Sequence, residues 1–110
     1  MTIQYKYKIE NLYTQQPDPN STNLIIVDVH WTKIGTDENG TIGMFGGSTM
    51  FDYNKSINNS NIIEFAKLTE ADVISWIEPI AELNATVMNE IIERQITYKN
   101  LNLVEYQPQT

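Results

Sequence analysis

Residues 23–51, NLIIVDVHWTKIGTDENGTIGMFGGSTMF, constrain this chain more than any other stretch. They read as two long antiparallel strands closed by a tight turn at Asp37, Glu38, Asn39 and Gly40. Asn-Gly between apolar strands is a strong short-range hairpin signal. The four residues suit a type I turn that ends with Gly40 in a left-handed bulge position. The first strand sets Ile25, Val27, Val29 and Trp31 on one face, expected to meet the core. Leu24, Ile26, Asp28, His30 and Thr32 fall on the other. Apolar residues on both faces near its start suggest a central strand. The second strand carries Gly43, Gly46 and Gly47, which weaken a strand and mark a bend or a close approach of another backbone.

The flanking segments add to this ribbon. Tyr5, Tyr7 and Ile9 alternate with Lys6 and Lys8, the period of a strand with one wet face, and the lysines suit an edge. Residues 15–22 hold Pro17 and Pro19 and read as a loop. Residues 52–67 are polar at first, then offer Ile62, Ile63 and Phe65 as a short docked segment. Thr69 is a helix N-cap, with Asp72 in the returning position of a capping box. Leu68 and Val73 sit at the positions of a hydrophobic staple. Val73, Trp76, Ile77 and Ile80 form the first helical stripe. Pro79 is expected to kink or end that helix near Glu78. A second helix starts near Asn84 or Thr86 and runs to about Tyr98, with Val87, Met88, Ile91, Ile92 and Ile96 inward. Glu90 and Arg94 are spaced to pair on its outer side.

The expected architecture is therefore α+β. One domain, residues 1–110, has an antiparallel meander of three or more strands with two C-terminal helices packed on one face. Its parts are a strand in 1–14, a loop in 15–22, the hairpin in 23–51, a loop or docked segment in 52–67, two helices in 68–98, and a tail or short strand in 99–110.

Several kinds of chemistry find no support in these residues. The chain has no cysteine, which excludes disulfides and thiolate metal sites. A net charge of −7 repels phosphate backbones, so nucleic acid is not an expected partner. No apolar run reaches the roughly 18 residues of a membrane span. The start lacks an apolar signal segment, so a soluble chain beginning at Met1 is expected. His30 is the single histidine and shares a face with Asp28, yet nothing nearby supplies a third metal ligand or a nucleophile. The glycines of residues 43–47 lack the pattern of a phosphate-binding loop. Glu70, Asp72, Glu78 and Glu82 are accounted for by the cap and a solvated helix face. Trp31 and Trp76 lie in apolar stripes and are expected in the core. No enzyme, cofactor or metal is expected. The segment named for partner contact is the C-terminal one, through Leu101, Leu103 and Tyr106.

Two stretches also carry a resemblance. Residues 27–32 (VDVHWT) with the glycine-rich strand after the turn, and residues 68–76 (LTEADVISW) with the helix ending near Arg94, resemble a group of small uncharacterised proteins of tailed bacteriophages. The likeness spans about residues 24–97 and carries no catalytic residues. It implies a phage origin. The expected role is then a virion structural or interaction component, and the alternative is an accessory protein that binds a host protein. Either would place the chain in the virion or the host cytoplasm with a protein partner. Sheet edges and spare aromatics leave a homo-oligomer open.

Overall fold

The computed structural model describes residues 1–16, 25–51 and 68–108. Three strands, β1 (Ile3–Gln15), β2 (Ile25–Asp37) and β3 (Ile42–Met50), form one antiparallel sheet in the order β1-β2-β3. Two helical segments follow, α1 (Glu70–Ala81) and α2 (Ala85–Lys99), joined by a 3-10 turn at Glu82–Asn84. The helical residues therefore run without a gap from Glu70 to Lys99 along one face of the sheet. The α+β architecture is as expected, with the two helices fused into one bent arm.

The turn between β2 and β3 is built as its residues dictate. Gly40 has a φ of +84°, its N–H bonds the Asp37 carbonyl at 3.1 Å, and the Asp37 N–H bonds the Thr41 carbonyl at 3.0 Å. The Asp37 carboxylate caps the turn from within, accepting from the N–H groups of Asn39 and Thr41 at 3.0 and 2.8 Å. Its other oxygen accepts from the Asn100 side chain at 2.8 Å, which ties the turn to the end of α2. At the opposite end of the arm, Thr69 and Asp72 form the full capping box, with bonds of 3.2 and 3.1 Å.

The register corrects the expected strand faces. Pairing of β1 with β2 shifts between Ile9 and Asn11, skipping Glu10. It shifts again between Tyr13 and Thr14, where Val27 of β2 is skipped. Each bulge inverts the alternation beyond it, because the side-chain period is two. The core therefore takes Tyr7 and Ile9 before the first bulge and Leu12 after it. In β2 it takes Val29 and Trp31, then Ile26 beyond the second bulge. Val27, expected inside, is half-buried, and Ile26, expected on the other face, is in the core.

The helical stripes are also narrower than their apolar residues suggest. In α1 the buried positions are Val73, Ile77 and Ala81, spaced four apart, while Trp76 is half-buried and Ile80 exposed. In α2 they are Met88, Ile92 and Ile96, with Ile91 half-buried and Val87 exposed. Spacing of four places a ridge along each helix, and residues at i+3 fall to its flank. Of the two expected effects of Pro79, a kink or an end near Glu78, the end does not occur. The segment continues to Ala81, and the Glu82 N–H reaches the Glu78 carbonyl, carrying the hydrogen-bond ladder past the proline. The tightened 3-10 turn follows directly.

Two glycines bring α2 close to the sheet. Gly35 and Gly43 are register partners on β2 and β3. A Cβ on Gly35 would stand 2.5 Å from Ile92 Cγ2, and one on Gly43 would stand 2.6 Å from the Ile92 carbonyl oxygen. The pair forms a saddle in which this turn of α2 sits. The glycine-rich strand thus serves close backbone approach. The expected docked segment of Ile62, Ile63 and Phe65 lies outside the described residues.

Candidate functional site

Four places in this fold gather polar or exposed apolar groups. The first is inside. Lys33 follows Val29 and Trp31 on the core-facing side of β2, and its side chain is only 2% exposed. Its Nζ donates to Glu82 Oε1 at 2.9 Å and lies 4.7 Å from the Tyr5 ring centre. The same carboxylate oxygen accepts from the Tyr7 hydroxyl at 3.1 Å. The Lys33 hydrogen bond holds the Glu82 carboxyl below its ordinary range, while burial pushes the Tyr7 hydroxyl well above its own. Glu82, expected on a solvated helix face, is instead the anchor of this cluster. Its geometry is that of a structural pin: β1, β2 and the helical bend meet on one oxygen atom.

The second place is the outer face of the sheet. His30 Nε2 lies 3.1 Å from Asp28 Oδ2, and the Tyr13 ring stands 4.9 Å from the imidazole. The pair is joined as its strand spacing expects. Among the described residues no three His, Asp or Glu side chains gather into a metal-binding group.

The third place is the free edge of β3. Odd-numbered residues of β3 turn their backbone groups toward β2, a pattern that the Phe51 N–H continues by bonding the Val27 carbonyl. Even-numbered residues present theirs to the outside. At Met44 the outward N–H and carbonyl are both satisfied by Gln95 of α2, at 2.8 Å each. The Gln95 amide thereby takes the place of a neighbouring strand. At Ile42 the outward carbonyl accepts from Lys99 Nζ at 2.6 Å. Farther along, at Gly46 and Ser48, α2 supplies no such partner, and both residues are exposed.

Beside this open half of the edge lies a cleft of about 360 Å³ between β3 and the bend of the helical arm. Trp31, Phe45 and Gly47 form its sheet side, and Ile80, Val87 and Met88 its helical side. Gly47 leaves room for the Trp31 ring at the sheet side of the cleft. A Cβ on Gly46 would meet nothing within 4 Å, and the Trp31 ring lies where one on Gly47 would point. Among the described residues no charged one lines the cleft, although the chain carries −7 overall.

The fourth place is the C-terminal tail, where the expected contact residues lie. Leu101, Leu103 and Tyr106 are all exposed, and residues 102–108 take no regular structure. The tail is therefore not the docked strand that was one of its two expected forms. The structure does not bring these three residues to the cleft. Trp31 is buried as expected, with its indole N–H donating to Thr49 Oγ1 at 3.0 Å. Trp76 lies at the margin of the core.

Sequence reasoning missed Lys33, Glu82 and Gln95. A signal existed for the first, because Lys33 extends the odd-numbered face of Val29 and Trp31. Gln95 offered none, since its role depends on where α2 lies beside β3. Among the described residues no helix is long and apolar enough to cross a membrane. Compared with known families, residues 2–108 match one described as a domain of unknown function (DUF7936). No match was found among the curated proteins or the solved structures.

Proposed function

This chain belongs to the DUF7936 family, and on that premise we propose that it is a non-enzymatic protein-interaction module, a structural or interaction component of a tailed-phage particle. The observation that carries the reading is the uncharged cleft beside the open half of β3. Outward backbone groups at Gly46 and Ser48 offer main-chain hydrogen bonds, and Trp31, Phe45, Ile80 and Val87 offer an apolar wall next to them. Addition of a strand to such an edge draws affinity from the backbone and specificity from the neighbouring pocket. The surface is a protein site by its chemistry. An apolar, charge-free lining in an acidic chain gives a phosphate backbone nothing to hold.

The resemblance of residues 27–32 and 68–76 to small phage proteins supports the particle part of the reading. An accessory protein that binds a host protein would use the same edge and cleft. Mass spectrometry of purified virions, run beside affinity capture from infected cells, separates the two. Presence in particles at fixed stoichiometry, with cross-links at Ser48 or Val87 after cysteine substitution, is the expected result. Absence from particles together with one stoichiometric host protein gives the accessory role. Cross-links confined to other surfaces would overturn the assignment of the site.

A further inference from the structure

The cleft has a counterpart in the same chain. After Asn100 the backbone leaves the body of the protein, and Leu103, Val104 and Tyr106 are 58%, 86% and 81% exposed. Three large apolar side chains are thus left to solvent within four residues. Only Glu105 is charged in residues 101–108. At strand spacing, Val104 and Tyr106 fall on one face and Leu103 on the other. Among the described residues the tail is a strand-forming segment without a sheet, and the far half of β3 is a sheet edge without a strand.

Within one molecule the two are kept apart. The tail starts at Asn100, beside the β2–β3 turn, where Asn100 bonds Asp37 and Thr41. Going from there along the edge, Lys99 already occupies Ile42 and Gln95 occupies Met44. Helix α2 therefore lies between the tail's origin and the open positions at Gly46 and Ser48.

We propose that residues 101–108 of one copy add as a strand to the Gly46–Met50 edge of a second copy, with Val104 and Tyr106 seated in the cleft beside Trp31. This rests on the reading of the β3 edge as the interaction surface and names its occupant. Charge favours the pairing. Two copies at −7 repel, and contact costs least where an uncharged cleft receives a nearly uncharged segment. Leu103 then covers Met50, which is 79% exposed on the outer sheet face. Exchange in both directions closes a two-fold dimer.

The test uses three full-length variants. Ser48→Pro removes an outward N–H without touching the ladder to β2, and Val87→Glu places a charge on the cleft wall as a second acceptor variant. Val104→Asp with Tyr106→Asp disables the donor. Sedimentation equilibrium should show self-association of the unaltered chain, weakened at least about tenfold in each variant. Circular dichroism and melting temperature should stay near those of the unaltered chain. Mixing a donor variant with an acceptor variant should restore part of the association, because the intact tail of one can seat on the intact edge of the other while the reciprocal contact stays broken. A unaltered chain that stays monomeric at all concentrations overturns the exchange. So does a donor variant that associates normally while Ser48→Pro and Val87→Glu do not. That second result leaves the edge as an interaction surface and removes only the tail as its occupant. Association unchanged in all three variants overturns both.

Discussion

Lys33 Nζ lies 2.9 Å from Glu82 Oε1, and this one contact joins the middle of the central strand to the bend of the helical arm. Tyr7 of the edge strand donates to the same oxygen. Three segments that are distant in sequence are therefore registered against one another by a polar pin.

Removing one side of such a pin costs more than replacing it with an apolar group of similar shape. Lys33→Ala should lower stability by about 2–4 kcal/mol, because it leaves a cavity and deprives Glu82 of its partner. Lys33→Met keeps most of the packing and should cost less than half as much. Urea unfolding of the two variants measures the difference. Equal losses would mean that the contact with Glu82, which both variants remove, sets the whole cost and that packing of the side chain adds nothing.

The glycines should divide into two kinds. Gly43→Ala drives a methyl group toward the Ile92 carbonyl, a backbone atom with little freedom to move. It should destabilise by about 1–3 kcal/mol. Gly46→Ala meets open space and should be neutral or gain a few tenths of a kcal/mol from reduced freedom of the unfolded chain. Thermal melts of the two single variants suffice. A Gly43→Ala protein as stable as the parent would contradict the tight seating of α2.

At the start of α1, Thr69→Ala removes the hydroxyl that accepts from the Asp72 N–H and should cost about 1 kcal/mol. Asp72→Ala removes the reciprocal bond to the Thr69 N–H, and the double variant should fall short of the sum. A double-mutant cycle reads this coupling directly. Strict additivity would show that the two bonds act independently.

Stability should fall at both ends of the pH scale, by different groups. The Asn100 hydrogen bond, with the N–H groups of Thr41 and Asn39, holds the Asp37 carboxyl below its ordinary value. Lys33 does the same for Glu82. A carboxylate depressed in the folded state adds stability above its unfolded value and loses it as pH falls through the folded one. The melting temperature should therefore drop below about pH 4, and Asp37→Asn should flatten part of that limb. Tyr7 has the opposite sign. Its raised value leaves stability intact below the ordinary 10.0 and erodes it above. Tyr7→Phe should remove part of the alkaline loss. An acid limb identical in Asp37→Asn and parent would exclude the turn from this behaviour.

The legible parts of this fold were those whose cause is local. Asn39 and Gly40 declare the turn within four residues, and Thr69 and Asp72 declare the cap in the same way. The bulges at Glu10 and at Val27 left no mark, because a skipped residue needs no particular side chain. Val27 and Ile26 of β2 were consequently assigned to the wrong faces. Pro79 argued for a kink or a helix end, and the end is absent because Ala81 and the apolar ridge behind it hold the segment together. The cleft was not legible. Leu101, Leu103 and Tyr106 stood out as apolar residues in a polar tail, whereas the cleft arises from Gly46, Gly47 and Val87 meeting across separate elements.

The bond pair between Gln95 and Met44 also acts as a stop. An incoming strand cannot slide past the point where a side chain already fills the pairing positions. Its end is set by Gln95, and the glycines that follow decide which of its residues face inward. A helix side chain thus closes this stretch of the sheet edge, and moving that glutamine by two residues would swing it to the far side of α2 and uncover Met44.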